Sequence, residues 1–304
     1  MASNLVYSDN LTSIFCGDAR EIPLENNSVG QIITSPPYNA RMHYEGYDDW
    51  LPWTEYWEGL IEPSLRECYR VLVHGGRIGF NIANVVRSDV QDYRWSSSRK
   101  RNLSQRKILT RQDGRKWSPP GSNGEPWAEF IDKHIWFLAK TIGFLPRERI
   151  TWVKGDMPEE IVTTSNAWGT FCSAANPVLR AIAEPIYILD KGTHTRPPGT
   201  TTITKQEFMS WSRNTWFVPV RGLVTEKHAN PCQFPLEIPR RLMKFYGYTE
   251  DLVLDPFMGE GTTLVAAKRL GRKSVGIELG EKQCARAADR VSQDVMFYES
   301  EDAA

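Results

Sequence analysis

Residues 252–278 pack two strands and a helix into one short stretch. LVLD (252–255) is an apolar run ending in a carboxylate, Asp255. A tight turn follows, PFMGEG, carrying Gly259 and Gly261. The run 262–270, opened by Thr262 and Thr263, has the character of a helix, and SVGIEL then ends a second strand at Glu278. Strand, helix and strand in this order form the unit of a mostly parallel sheet with helices on its faces. Glycines in such a turn let backbone approach a ligand, and the helix N-terminus offers N–H groups. A carboxylate about twenty residues past the turn suits the two hydroxyls of a ribose.

Several sites share this outline. A phosphate-binding P-loop needs a lysine after the last glycine, and Thr262 stands there instead. A dinucleotide site needs a third glycine at an offset this chain lacks. A purely structural turn stays open. The form Asp-x-Phe-x-Gly-x-Gly fits a nucleoside without pyrophosphate, with Phe257 and Asp255 facing an adenosine that carries a charged amino-acid tail.

The second informative stretch is TSPPYN, residues 34–39, after the β-branched run of another strand. Pro36 and Pro37 have no N–H to give a ladder, and both fix φ. Ser35 and Tyr38 therefore flank a stiff corner at the carboxyl end of a strand, where open α/β sheets bind their ligands. A rigid strand exit without chemistry is the competing reading.

The remaining chain repeats the alternation. Ser13–Cys16 reads as a strand ending at Gly17-Asp18. Residues 54–73 have helical apolar spacing, with Pro63 starting or kinking a segment. Gly75-Gly76 turns the chain into the strand RIGFNIA. A helix near 127–141, the strands 147–154 and 183–190, a short strand in TWFVPV, a helix over 235–247 and a final amphipathic helix complete the pattern. The expectation is a single doubly wound, mostly parallel α/β domain over 1–304, with two interruptions. Residues 87–117 carry ten Lys or Arg against three Asp, with Tyr93, Trp95 and Trp117 interleaved. This begins a basic insertion over 87–126, either a solvated face or a nucleic-acid contact. Residues 155–232 are loop-rich.

Net charge is zero, so a nucleic-acid partner must be met by a local patch. Five scattered cysteines, none in a CxxC pair, support neither a zinc site nor a disulfide framework, and they suit a reducing cytosol. No run of about 18 apolar residues predicts a membrane span.

TSPPY and DPFMGEGTT together resemble the amino-methyltransferases that use S-adenosyl-L-methionine. The former is similar to the family's Ser/Asn/Asp-Pro-Pro-Tyr catalytic motif, and the latter to its cofactor turn. The catalytic motif precedes the cofactor turn, a circularly permuted order similar to the beta class of DNA methyltransferases. FCGDA, AWGTF…NPVLRAIAEPIYILDKG and KHANPCQFPLEIPRRLMKFYG resemble further segments of that class, so the likeness spans nearly the whole core outside 87–117.

The resemblance implies a Rossmann-like methyltransferase sheet with inserted DNA-recognition segments. It also implies methyl transfer from S-adenosyl-L-methionine to an exocyclic amino group of a flipped base in double-stranded DNA. Ser35, Pro36, Pro37 and Tyr38 would be catalytic. Glu278 would hold the ribose and Asp18 the adenine amino group. Asp255 and the turn Phe257, Gly259, Gly261, Thr262 and Thr263 would hold the methionine part, with Phe234 lining the pocket. No metal is required. Serine before Pro-Pro-Tyr more often goes with cytosine N4 in this family, and Asp or Asn with adenine N6. A neutral hydroxyl serves either amino group, so chemistry alone leaves both open. RNA or protein amino groups as acceptors, and a non-catalytic binding protein, are the rival readings.

Tyr44–Trp57 is aromatic-rich, either to hold the extruded base or to pack a helix. Cys232, within Pro-Cys-Gln, has the look of a cytosine carbon-5 nucleophile, but it stands in the wrong segment for that chemistry. A cytoplasmic, nucleoid-associated enzyme with a restriction endonuclease as candidate partner follows from the same likeness.

Overall fold

The computed structural model describes residues 3–39, 43–44, 47–49, 51–82, 85–87, 128–155, 172, 174, 182–220 and 234–293. Thirteen strands lie among them: β1 (Asn4–Ser8), β2 (Thr12–Cys16), β3 (Val29–Thr34), β4 (His43–Tyr44), β5 (Tyr47–Asp48), β6 (Leu72–Asn81), β7 (Val85–Arg87), β8 (Ala128–Phe130), β9 (Phe144–Val153), β10 (Ala183–Lys191), β11 (Thr215–Phe217), β12 (Val253–Asp255) and β13 (Ser274–Glu278). The helices are α1 (Trp53–Tyr56), α2 (Glu62–Val71), α3 (Ile131–Ile142), α4 (Lys205–Trp211), α5 (Glu237–Tyr246), α6 (Thr262–Arg269) and α7 (Glu281–Gln293), and a π-helical segment, Trp57–Ile61, joins the first two.

Nine strands form one sheet in the order β1-β2-β13-β12-β3-β6-β10-β9-β11. β2, β13, β12, β3 and β6 are mutually parallel neighbours, and β10 runs antiparallel between β6 and β9. The expected doubly wound, mostly parallel sheet is therefore present. Strands covered on both faces read as continuous apolar runs, and β3 is buried along its whole length. Ile32 packs into the core layer of α2 and α3 with Leu65, Ile135 and Tyr187. Its neighbour Ile33 points to the other face, against Leu242 and Met243 of α5. A third cluster, with Ile14, Leu264, Cys284 and Ala287, holds α6 and α7.

Three local differences from the sequence reading have physical causes. β1 is not anticipated by the sequence. It is an edge strand with Leu5 56% and Val6 50% exposed, so it lacks a buried apolar face to announce it. Gly75-Gly76 does turn the chain, but inside β6: Val29 pairs with Leu72 and Gln31 with Arg77, which leaves a bulge around Gly75 at φ +76°. Pro63 sits in the first turn of α2, directly after the π segment. It has no N–H for the Gly59 carbonyl four residues back, and that carbonyl accepts Arg20 Nη1 at 3.0 Å.

β7 and β8 pair antiparallel, Val85 with Phe130 and Arg87 with Ala128, and so join the two flanks of the basic stretch. Residues 88–127 themselves lie outside the described residues, as do Cys232 and much of 155–232. Among the described residues no helix is long and apolar enough to cross a membrane, and no group of three His, Cys, Asp or Glu gathers as a metal site.

Candidate active site at the carboxyl edge of the sheet

The five parallel strands β2, β13, β12, β3 and β6 end in the same direction, so their last residues line one edge. In sheet order these are Asp18 just past β2, Glu278, Asp255, Ser35 just past β3, and Asn81. The sequence predicts the first four there. It does not predict Asn81.

Asp255 lies beneath the glycine turn, 2% exposed. Its Oδ1 accepts Thr34 Oγ1 at 2.7 Å and the Phe257 N–H at 3.1 Å, and its Oδ2 accepts Thr263 Oγ1 at 2.6 Å. Burial nonetheless pushes its pKa up to about 6, with the nearby Glu278 charge adding to the rise. The carboxylate thus fastens the turn to its own helix and to the strand beside it.

Glu278 closes the turn from the other side. Its Oε2 accepts the Gly259 N–H and its Oε1 the Gly280 N–H, each at 3.0 Å. Burial raises its pKa, and the pull of those N–H groups offsets part of the rise. Asp18 faces the Arg20 guanidinium, with Nε at 2.9 Å from Oδ1. Burial alone would raise its pKa, but the Arg20 hydrogen bonds and charge hold it below the usual carboxylate value.

The two glycines of the turn have different reasons. Gly259 has φ +54°, and a Cβ there would point into open space. Gly261 has φ +79°, caps α6, and lies where a Cβ would come 3.1 Å from Ala287 Cβ in α7. The first opens the turn to a ligand; the second lets two helices close. Phe257 is partly buried at the edge of the main core. Thr262 and Thr263 are buried in the first turn of α6, and Phe234 is 7% exposed in the α5 layer.

The Ser-Pro-Pro-Tyr corner is held from three directions. Ser35 Oγ donates to Tyr38 Oη at 3.1 Å. The Tyr38 hydroxyl has two acceptors, Asn81 Oδ1 at 2.9 Å and Glu184 Oε2 at 3.1 Å. Glu184 in turn forms an ion pair with Lys154. Tyr56, fully buried, donates its hydroxyl to the Pro37 carbonyl at 2.8 Å. Beyond the corner, Asn39 takes φ +55° and exchanges hydrogen bonds with Asp49 and Leu51. In the aromatic stretch before α2, Tyr56 and Trp57 are helix-packing residues, 0% and 8% exposed.

Sequence reasoning missed Thr34, Asn81, Glu184, Lys154, Arg20 and Tyr56. Each acts across strands or loops distant in the chain, so no local spacing marks it. The available signal was position: Thr34 precedes the corner, Asn81 ends a strand, and Glu184 opens one.

A family model described as DNA methylase, covering N6 and N4 amino-methylating enzymes, matches residues 29–289. The Type II methyltransferase M.BglI of Bacillus subtilis is 27% identical over 86% of this chain and 80% of its own length. M.MjaI of Methanocaldococcus jannaschii is 28% identical over 88% of this chain and 86% of its own. Among solved structures, a DNA modification methylase of Thermus thermophilus complexed with S-adenosyl-L-methionine aligns with TM-score 0.61 at 24% identity, over 93% of both chains. The cytosine-N4-specific PvuII DNA methyltransferase aligns with TM-score 0.63 at 18% identity, over 93% of this chain and 87% of that one. These structures share the fold, and the family model covers the corner, the glycine turn and the strands that bring them together: the chain belongs to the N6/N4 DNA methylase family, the site-specific DNA amino-methyltransferases.

Proposed function

We propose that this protein methylates the exocyclic N4 of cytosine in double-stranded DNA, with S-adenosyl-L-methionine as methyl donor. The observation that carries the reading is Ser35, a neutral hydroxyl at the carboxyl end of β3, in the strand next to the one that carries the glycine turn. The residues present fit the donor. Gly259 leaves room on the open side of the turn, and Asp18 and Glu278 place carboxylates on either side of the β2–β13 boundary.

The donor supplies an electrophilic methyl on a sulfonium, and the chain supplies acceptors and position. An exocyclic amino nitrogen is a poor nucleophile because its lone pair is delocalised into the ring. Ser35 Oγ gives its own proton to Tyr38, so its lone pairs are left to accept a hydrogen from that amino group. The Pro36 carbonyl, fixed in direction by the two prolines, is the second acceptor. Together they favour a pyramidal, more nucleophilic nitrogen, and much of the rate comes from placement. The base reaches the corner by flipping out of the duplex, at a cost of about a few kcal/mol. Residues 87–126 are assigned phosphate contact and 155–232 target reading.

The test is incubation of unmethylated genomic DNA with the protein and S-adenosyl-L-methionine, followed by mass analysis of the released nucleosides. N4-methylcytosine is the expected product. N6-methyladenine would keep the fold and corner chemistry and overturn the base assignment.

A further inference from the structure

The hydroxyl direction at Ser35 is set from a distance. An ionised carboxylate only accepts hydrogen bonds, and Glu184, paired with Lys154, lies 3.1 Å from Tyr38 Oη. Asn81 presents its oxygen to the same hydroxyl, because its amide nitrogen is committed to the Pro185 carbonyl at 3.0 Å. With acceptors on that side, Tyr38 must donate away from the corner. Its oxygen is then left to receive, and Ser35 becomes the donor at 3.1 Å. Asn81 Oδ1, 3.5 Å from Ser35 Oγ, draws the serine proton the same way.

The geometry points to Glu184 as a positioning residue that, through the Tyr38 hydroxyl, turns the Ser35 proton inward and presents the serine lone pairs to the target amino group. This deepens the methyltransferase reading and rests on it. Reversal would be harmful. A serine that pointed its proton outward would meet an amino hydrogen with a hydrogen, and one of the two acceptors on the nitrogen would be lost. Glu184 belongs to β10, the strand that runs against its neighbours. That direction places the start of β10 at the same edge as the ends of β6 and β9, and so puts Glu184 beside Asn81 and Lys154. Lys154 and Tyr38 are the titratable groups in contact with the carboxylate.

The experiment is a double-mutant cycle on the full chain: Glu184→Gln, Tyr38→Phe and the two together. Initial rates of labelled methyl transfer to unmethylated genomic DNA give kcat and the KM for S-adenosyl-L-methionine. Glu184→Gln offers Tyr38 an amide that can donate. It should lower kcat by roughly tenfold or more, the worth of one well-placed hydrogen bond, with KM changed less than about twofold. Tyr38→Phe should do likewise. The double variant should be no slower than the slower single variant, because Glu184 acts only through the hydroxyl that Phe removes.

Rate reductions that multiply, an unchanged kcat in Glu184→Gln, or an effect confined to KM would each overturn the inference. Glu184→Ala, which removes the acceptor without adding a donor, repeats the cycle should Gln unfold the protein. If the unchanged protein moves no methyl group to DNA, the proposed function fails and this inference falls with it, an outcome visible before any variant is made.

Discussion

Thr34 Oγ1 donates to Asp255 Oδ1 across 2.7 Å, and this one bond joins the two halves of the site. Thr34 is the residue before the Ser-Pro-Pro-Tyr corner, and Asp255 is the last residue of the strand that leads into the glycine turn. The two are 221 positions apart in sequence. β12 and β3 are adjacent and parallel, so a side chain at the end of one reaches the end of the other. The bond is buried and its acceptor is charged, which makes it one of the stronger kinds.

Replacing Thr34 with Val keeps the shape and removes the donor. Asp255 is then short of a hydrogen bond while still buried, with only the Phe257 N–H and Thr263 Oγ1 left to it. The expected loss is about 1–3 kcal/mol of folding stability, together with weaker S-adenosyl-L-methionine binding. Thr34→Ser should restore most of both. Urea denaturation and calorimetric titration check this; a Val variant equal to the parent in both would mean the bond joins nothing that matters.

Asp255 also predicts a pH dependence. Its pKa in the folded protein is raised from 3.8 to about 6, chiefly by burial. The stability contributed by its proton is fully present below about pH 4 and is lost as pH rises through about 6. The donor molecule carries net positive charge, so its binding should run the opposite way, tightening as the carboxylate ionises between about pH 5 and 7. Titrations of Kd against pH should show this rise in the parent protein and a flatter profile in Asp255→Asn. Equal slopes would assign the dependence to another group.

The two glycines should separate by experiment. Gly261→Ala forces a side chain to φ +79° and brings it 3.1 Å from Ala287, so it should lower the melting temperature markedly. Gly259→Ala meets only the cost of φ +54°, about 1–2 kcal/mol, with no protein neighbour in the way. Its main effect should be on the ligand, with S-adenosyl-L-methionine affinity falling by roughly tenfold or more, about 1.4 kcal/mol. Similar reductions of stability and of affinity in both variants would contradict the division.

The basic stretch makes an electrostatic prediction. Neutralising Arg99, Lys100, Arg101, Arg106 and Lys107 should weaken DNA binding and flatten its salt dependence by about 0.9 in log–log slope for each phosphate that is no longer neutralised. An unchanged slope would return the stretch to an ordinary solvated surface. Cys232→Ala should leave methyl transfer intact, since the proposed chemistry uses no thiol.

What the sequence displayed were features written in consecutive residues. The buried runs of β3 and β12, the glycine turn before α6 and the Pro-Pro corner are all local, and the residues alone place each at the correct sheet edge. What it concealed were relationships made by the sheet. β10 reads as an apolar strand like any other, and nothing in AEPIYILD says that it runs against its neighbours and so brings Glu184 to Tyr38. Arg20 looks like a surface charge, yet it bridges Asp18 to the carbonyl left by Pro63. β1 is too exposed to show a pattern at all. Side chains whose partners lie more than a hundred residues away, such as Asn81 with Pro185, have no periodicity to betray them.

The most direct measurement is a single turnover of Ser35→Ala beside the parent protein, with labelled S-adenosyl-L-methionine prebound and unmethylated DNA added. Binding of the donor should be unchanged, because Ser35 belongs to the strand beside the glycine turn and not to the turn. Methyl transfer should fall by roughly a hundredfold, about 2.7 kcal/mol of lost transition-state stabilisation. A variant that transfers the methyl at the parent rate would show that the corner after β3 is only a strand exit, and would contradict the account.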